Sequence, residues 1–224
     1  MSQLNSTAYG HSPLVIHNIS QYFAYGEIWL TSCATLTKEH NTQMTNPLRL
    51  VGISGALRKA STNTMLVAEA ARAFGPCEFT RADILLQLYD GDIEDTVGIP
   101  DDAMALGQLI LDADAVVIST PEYNKNISGV LKNALDWLSR TKLAPFADKP
   151  VAILSASNGR SGGERAQYSL RHCLTPFGAR VLPQPEVFIA NCRNAFDADG
   201  RLIDTASFEF LEVLMKKLRA EASD

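Results

Sequence analysis

The stretch VGISGALRKASTNT, which begins at residue 51, changes within a few positions from apolar side chains to glycine, arginine, hydroxyl and amide side chains. Such a change is typical of a strand end that leads into a helix N-terminus, where backbone N–H groups and the helix dipole attract an anion. Arg58 adds a planar cation, and Ser61, Thr62 and Asn63 add short donors. The pattern predicts a phosphate site. In the alternative, Ser61 or Thr62 only caps the helix and Arg58 is a solvated surface residue.

This loop lacks the signatures of two common nucleotide-binding loops. No G-K-S/T sequence follows, which disfavours the Walker loop of ATPases, and the G-x-G-x-x-G pattern of dinucleotide-binding Rossmann folds is absent. We therefore interpret Asp83, which follows the next predicted strand, as a loop residue and not as a ribose-binding carboxylate.

Two further loops follow predicted strands. In TPEYNKNISGVLKNALDW, Pro121 ends a strand, and Glu122, Tyr123 and Asn124 place an aromatic ring between two hydrogen-bonding side chains. This arrangement suits a flat heteroaromatic ligand, and it is equally compatible with a turn whose tyrosine packs on the surface. In SASNGRSGGERAQ, Ser157 offers a donor and the glycines permit close backbone approach, although a glycine loop alone is a weak signal.

Other conspicuous side chains are assigned to structure. Lys132, Asn133 and Trp137 are predicted to support the helix that follows the TPEYN loop. His172 lies inside a helical pattern, and we interpret it as structural rather than as an acid–base residue. The four cysteines form no C-x-x-C pair, so no zinc or iron–sulfur site is expected, and a reduced, cytoplasmic setting is favoured.

Strand and helix patterns alternate from residue 48 onward. Five apolar runs predict strands, the last of which, ARVLPQPEVFIA, is interrupted by two prolines, and LQLYDGDIEDTVGIPDD is predicted to be a polar loop. Parallel neighbours need crossover connections, so the pattern predicts an α/β fold with a doubly wound parallel sheet covered on both faces. In such sheets ligands bind outside the carboxyl ends of the strands, where the three loops above must meet.

Length and composition fit one globular domain. The chain has 224 residues, 46% of them hydrophobic, and a net charge of −5. Its isoelectric point near 5.4 argues against a nucleic acid or an anionic membrane surface as a partner. No run approaches 18 consecutive apolar residues, so no membrane span is predicted.

The first 46 residues show no clear helical or strand period. Met44 stands just ahead of the first convincing strand, so we expect the functional domain to comprise residues 47–224. Residues 1–46 are predicted to be a poorly ordered or dispensable extension. The alternative is an arm that packs on a partner subunit.

Taken together, the three loops resemble the NADPH-dependent FMN reductase family, and most closely its quinone/chromate reductase branch. The matching stretches are SGALRKASTN, TPEYNKNISGVLKNALDWLSR and SNGRSGGERAQYSLR, and the similarity runs from about Leu48 to beyond Glu186. The resemblance implies a flavodoxin-like, five-stranded parallel sheet in the order 2-1-3-4-5, with helices on both faces.

The resemblance also implies which residues bind FMN. The phosphate would be held by residues of the first loop, namely Ala56 through its backbone, Arg58, Ser61, Thr62 and Asn63. The isoalloxazine ring would lie against residues of the other two loops, namely Pro121, Glu122, Tyr123, Asn124 and, at the ring's polar edge, Ser157.

Two positions depart from the family pattern. Ala56 replaces a serine, which removes one hydroxyl from the phosphate at a cost on the order of 1 kcal/mol. Ser128 stands where the family commonly has proline, and it is predicted to cap the helix that begins at Gly129.

By the same resemblance, the bound flavin would take a hydride from NADPH or NADH at N5 and pass electrons to an acceptor by a ping-pong mechanism. The acceptor would be a quinone or a similar compound: chromate, an azo dye, a ferric chelate or free flavin. No catalytic side chain is expected, and Lys125 and Arg160 are predicted to bind phosphates of the nicotinamide nucleotide. Two alternatives remain: a flavodoxin-like electron carrier, and a non-enzymatic module that binds a phosphate ligand.

The family branch implies a homotetramer built as a dimer of dimers. Arg165, Tyr168 and Glu186 match the positions that hydrogen-bond across its subunits. In the alternative, Arg165 and Tyr168 are only neighbours one turn apart on a helix face.

Overall fold

Strands and helices alternate along residues 46–223, which is the part of the chain that the computed structural model describes. The predicted extension lies outside these residues except for its last position. The strands are β1 (Arg49–Ser54), β2 (Glu78–Arg81), β3 (Ala115–Thr120), β4 (Pro150–Ala156), β5 (Arg180–Val181) and β6 (Val187–Ile189). The helices are α1 (Thr62–Phe74), α2 (Gly91–Val97), α3 (Asp101–Asp112), α4 (Gly129–Arg140), α5 (Glu164–Leu174) and α6 (Thr205–Ser223).

All strand pairs in the sheet are parallel, in the order β2-β1-β3-β4-β5. This confirms the doubly wound order 2-1-3-4-5. The residues of β3 and β4 are buried throughout, as expected for central strands with both faces covered.

The fifth predicted strand forms as two short pieces. β5 pairs with the first residues of β4, and β6 pairs with its last three. Pro183 and Pro185 lie between the pieces, and proline has no N–H to donate to a strand ladder. The prolines noted in the sequence therefore divide the strand, and both pieces stay beside the same neighbour.

Two layers of helices cover the sheet. Val116 and Ile118 of β3 belong to the core that includes side chains of α3, α4 and α5, whereas Ala115 and Val117 belong to the core that includes α1 and α6. The alternation follows from the period of two along a strand. Trp137 of α4 is fully buried in the first core.

One segment differs from its prediction. Part of the expected polar loop forms α2, a helix with no buried residues. Asp90 caps it by accepting a hydrogen bond from the backbone N–H of Asp92, and Asp92 and Glu94 lie in its first turn, where the helix dipole favours negative charge. Capping and charge thus stabilise a short helix whose contact with the core is limited to the partly buried Ile93, too little for sequence patterning to detect.

Because the strands are parallel, the loops after β1, β3, β4 and β6 reach one edge of the sheet. Among the described residues, no helix has the length and apolar character needed to cross a membrane. The same residues contain no cluster of three or more His, Cys, Asp or Glu side chains placed to hold a metal ion.

Candidate functional site

A cavity of about 800 Å³ lies at the carboxyl edge of the sheet. It brings together nearly all of the residues predicted for a ligand site. From the loop after β1 and the start of α1 it is lined by Ala56, Arg58, Ser61, Thr62 and Asn63. From the loops after β3 and β4 it is lined by Pro121, Glu122, Tyr123 and Ser157. Among the residues predicted to bind FMN, Asn124 is the one that does not line it.

The loop after β1 presents the N-terminus of α1 to this cavity. The turn begins at Gly55, where a Cβ would lie 3.1 Å from the Pro121 ring and 3.3 Å from the Ser119 carbonyl oxygen. Ser61 caps α1: its Oγ accepts hydrogen bonds from the backbone N–H groups of Asn63 at 3.2 Å and Thr64 at 3.4 Å. The cap leaves the hydroxyl hydrogen of Ser61 available to an anion, so capping and phosphate binding are compatible.

Arg58 supplies positive charge to the same end of the cavity. Its side chain is exposed and forms no hydrogen bond or ion pair within residues 46–223. A guanidinium free of protein partners beside a helix N-terminus suits a phosphate group.

Asn63 has a structural role that its spacing did not predict. Its buried amide donates to the carbonyl oxygen of Ala156 at 3.0 Å and accepts from Ser119 Oγ at 2.8 Å and from the Ala156 backbone N–H at 3.0 Å. The side chain therefore joins α1 to the ends of β3 and β4. One of its two amide hydrogens is left to reach a ligand.

The loop after β3 is a tight hairpin. Tyr123 and Asn126 exchange backbone hydrogen bonds of 2.9 and 3.1 Å, and the two residues between them, Asn124 and Lys125, have φ values of 51° and 66°. Two positive φ angles in succession define the turn type favoured in two-residue hairpins. The turn places the Tyr123 side chain, 55% exposed, at the cavity and Asn124 at the tip beyond it.

Glu122 provides a test of whether the cavity fits a flavin. Its side chain is 13% exposed, and Oε1 lies 3.7 Å from the Arg165 Nη1 atom. Oε2 is buried and accepts no hydrogen bond within the described residues. A buried acceptor without a donor costs roughly 1–3 kcal/mol, which a ligand donor would recover. FMN carries such donors at ring N3–H and at its ribityl hydroxyls, so the site fits FMN.

Two glycines of the loop after β4 lie where neighbouring atoms leave no space for a Cβ. A Cβ at Gly163, where φ is 98°, would lie 2.7 Å from Ser155 Cβ, and one at Gly162 would lie 2.8 Å from a backbone carbon of Phe188. The loop can therefore pack against β4 and β6 only with glycine at these positions. This close packing holds Ser157 at the cavity wall.

A fourth loop, after β6, was missed by the sequence analysis. It contributes Cys192, Arg193, Phe196 and Asp197 to the cavity lining. The sheet topology could have predicted this loop, because the last strand of a parallel sheet ends at the same edge as the others.

The residues predicted to support the helix after the TPEYN loop form hydrogen bonds within the fold. Asn133 accepts from the Tyr89 backbone N–H at 2.8 Å, and Trp137 Nε1 donates to the Gln87 carbonyl oxygen at 2.8 Å. Ser128 caps α4 by accepting from the Leu131 N–H at 3.3 Å, which confirms the predicted cap.

The remaining predicted residues lie outside the cavity lining. Lys125 and Arg160 are exposed and form no ion pair within residues 46–223. Arg165 and Tyr168 lie one turn apart on α5, 58% and 51% exposed. His172 is exposed on the same helix.

Comparison with known proteins identifies the family of this chain. A family model described as NADPH-dependent FMN reductase matches residues 48–194. The NAD(P)H-dependent FMN reductase PA1204 of Pseudomonas aeruginosa is 42% identical over 178 residues, which span 79% of this chain and 96% of that protein. The quinone reductase of Escherichia coli is 41% identical over 175 residues, 75% of this chain and 92% of that protein.

A solved structure shares the fold. FerB, a flavoenzyme NAD(P)H:(acceptor) oxidoreductase from Paracoccus denitrificans, superposes with a TM-score of 0.71 at 29% identity, over 79% of this chain and 97% of that one. The chain therefore belongs to the NADPH-dependent FMN reductase family, and it is an oxidoreductase with FMN as its flavin and NAD(P)H as its electron donor.

Proposed function

We propose that this enzyme catalyses the two-electron reduction of a quinone by NAD(P)H. In the balanced reaction, a hydride from NAD(P)H and one proton from solvent convert the quinone to the hydroquinone and release NAD(P)⁺. The E. coli relative is named a quinone reductase, and another relative from Burkholderia is named a 2-hydroxy-1,4-benzoquinone reductase. Both names support a quinone as the acceptor.

One observation carries the proposal: the cavity has a complementary group for each end of FMN. The N-terminus of α1 and Arg58 form an anion cradle for the phosphate, and the unpartnered Oε2 of Glu122 offers an acceptor to a donor of the ring or the ribityl chain. Bound FMN supplies hydride acceptance and release at its N5 atom. The protein orients the ring, and Tyr123, which lines the cavity and is 55% exposed, offers an aromatic surface to a second flat molecule.

The kinetic order that we propose depends on donor and acceptor using one face of the flavin. If NAD(P)H and the acceptor occupy the same face in turn, the mechanism is ping-pong, and double-reciprocal plots of NADPH oxidation at several benzoquinone concentrations are parallel. Intersecting lines would contradict a shared face. The absence of turnover with an FMN-loaded protein would favour the electron carrier instead.

Acceptor breadth is tested in the same assay. Chromate, an azo dye, a ferric chelate and free flavin replace benzoquinone one at a time, at matched NADPH concentration. An open mouth predicts turnover with several of these acceptors and the highest kcat/KM with the quinone. A higher kcat/KM with another acceptor would assign that compound class in place of quinones.

Lys125 and Arg160 are proposed to bind the phosphates of the nicotinamide nucleotide. Both are exposed cations beside loops that line the cavity, and neither has an ion-pair partner among the described residues. The double substitution Lys125→Ala and Arg160→Ala should raise the KM for NADPH and leave that for benzoquinone unchanged. An unchanged KM for NADPH would remove the assignment.

We further propose a homotetramer that uses Arg165, Tyr168 and Glu186. The first two side chains are more than half exposed on α5. The 3.7 Å contact of Arg165 with Glu122 is long for a hydrogen bond, so its guanidinium donors remain available to a partner. Light scattering on Arg165→Ala should show a smaller assembly than the unsubstituted protein. Equal masses would exclude this contact as the tetramer interface.

A cytoplasmic location is part of the same proposal. Cys77, Cys173 and Cys192, the cysteines of the described residues, are free thiols. Free thiols are in keeping with a reducing compartment.

A further inference from the structure

The segment of residues 192–203 contributes Cys192, Arg193, Phe196 and Asp197 to the cavity lining. Most of this segment lies beyond the family match, which ends at residue 194. A single helical turn, Cys192–Asn194, is followed by a small hairpin closed by a bridge between Phe196 and Leu202. We call residues 195–203 the wall hairpin. Phe196 and Asp197 of this hairpin line the cavity.

The wall hairpin is organised by its own hydrogen bonds. Asp197 Oδ1 accepts from the backbone N–H groups of Asp199 at 2.9 Å and Arg201 at 2.8 Å. The backbone N–H of Ile203 donates to the Ala195 carbonyl oxygen at 2.9 Å. These bonds fix the shape of the hairpin, but they do not fix its distance from the cofactor loops.

A buried carboxylate on α1 fixes that distance. Glu69 is 2% exposed, and its Oε1 accepts from Arg201 Nη1 at 2.9 Å while its Oε2 accepts from the Leu202 N–H at 3.3 Å. Both donors belong to the wall hairpin. Arg72 donates to the same carboxylate from within α1, so it compensates the charge without reaching the hairpin.

A packing contact between α1 and the wall hairpin lies between Glu69 and the cavity. Met65 is four residues before Glu69, on the same face of the helix, and it lines the cavity. Gly200 of the hairpin packs on Met65 so closely that an added Cβ would lie 3.3 Å from Met65 Cγ. The N-terminus of this same helix forms the proposed phosphate cradle.

We infer that Glu69 is a positioning residue for the flavin site, which sets the distance between the wall hairpin and the phosphate loop through Arg201 and the Leu202 N–H. The inference rests on the proposed binding of FMN in this cavity. When the link is lost, the hairpin moves away from α1, Phe196 no longer closes the cavity, and FMN dissociates more readily.

The test compares FMN binding by the full chain and three variants. Arg201→Leu removes the side-chain donor of the link, and Glu69→Gln replaces its charged carboxylate by a neutral amide with a single acceptor oxygen. Arg72→Leu removes the partner inside α1 and serves as the matched control. The dissociation constant of FMN should rise by up to about tenfold in the first two variants, the upper limit being the worth of one hydrogen bond to a charged group. It should stay within a factor of about two in the control, because Arg72 contacts Glu69 from within α1 and holds no residue of the wall hairpin.

Two further readouts separate positioning from general destabilisation. Hydrogen–deuterium exchange should accelerate in residues 195–203 of Arg201→Leu and stay unchanged in β3 and β4. At saturating FMN the kcat for benzoquinone should return to that of the unsubstituted protein, because Glu69 touches no reacting atom. Combining Glu69→Gln with Arg201→Leu should add little to either single change.

The failures are distinguishable. If the unsubstituted protein binds no FMN, the proposed function and this inference are both overturned. If it binds FMN and Arg201→Leu binds it equally tightly with an unchanged exchange pattern, only the positioning role is overturned. Exchange that accelerates across the whole chain would assign Glu69 to general stability instead.

Discussion

Arg58 offers a positive charge to the proposed FMN phosphate, whereas Ala56 offers it no side-chain hydrogen bond. Ala56 lines the phosphate end of the cavity with a backbone N–H but no hydroxyl, so Arg58 and the α1 N-terminus carry more of the binding. Arg58→Ala should weaken FMN binding by about tenfold or more, the effect of losing a charge-assisted hydrogen bond. Riboflavin, which has no phosphate, is the control ligand and should bind both proteins equally.

Ala56→Ser is the converse change. An added hydroxyl at this position should tighten FMN binding by a factor of about five, corresponding to one hydrogen bond of about 1 kcal/mol. Fluorescence titration of FMN and riboflavin measures both variants. If Arg58→Ala lowered the affinity for FMN and for riboflavin equally, the phosphate would not bind at this loop.

The sequence predicted which residue types follow each strand. It did not predict which of their polar atoms already form hydrogen bonds within the protein. Arg58 and Ser61 line the cavity as expected. Asn63 lines it too, yet three of its hydrogen bonds go to Ser119 and Ala156, which are distant in sequence. Such bonds depend on the packing of α1 against two strands, which no local spacing reveals.

At the scale of elements, the loop after β4 offers a direct test of close packing. Gly163→Ala would place a Cβ 2.7 Å from Ser155 Cβ at a φ of 98°. We expect a loss of about 1–3 kcal/mol in the free energy of unfolding and weaker FMN binding. Gly159→Ala is the matched control, since its nearest neighbour would be Ser157 Oγ at 3.9 Å. Equal unfolding midpoints for the two variants would contradict the packing argument.

The anchor between α1 and the wall hairpin predicts a pH effect on stability. Burial raises the pKa of Glu69, but hydrogen bonds from Arg72, Arg201 and Leu202 outweigh it and hold the pKa below the ordinary value of 4.5. A carboxyl whose folded-state pKa is lowered contributes stability above its unfolded pKa and loses it as the pH falls through the folded value. Glu69→Gln should therefore show a flatter fall of Tm with acid than the unsubstituted protein. Parallel Tm curves below pH 4.5 would contradict this.

The elements with strong apolar patterns were predictable, and those stabilised by caps or partners were not. β1, β3 and β4 follow their continuous apolar runs. α2 places only the partly buried Ile93 against the core, and it forms because Asp90 caps it and acidic residues occupy its first turn. The wall hairpin is hydrogen-bonded to Glu69, more than a hundred residues earlier in the chain. No local sequence pattern predicts such a contact.

At the scale of the whole molecule, the elements and the cavity that the structure describes lie within residues 46–223. We therefore predict that deletion of residues 1–43 leaves a soluble protein with unchanged FMN affinity. Light scattering on the same sample should give the mass of the full-length assembly, corrected for the residues removed. Insolubility or loss of FMN binding would show that the extension belongs to the functional domain, and a smaller assembly would identify it as an arm on a partner.

The most direct test of the account is a two-step absorption experiment on the full chain loaded with FMN, without oxygen. NADPH should bleach the visible bands of the oxidised flavin, and benzoquinone added afterwards should restore them as hydroquinone forms. This result would show donor and acceptor reacting in turn at one flavin. A chain that shows no flavin bands after FMN is added, or bands that NADPH leaves unchanged, would contradict it.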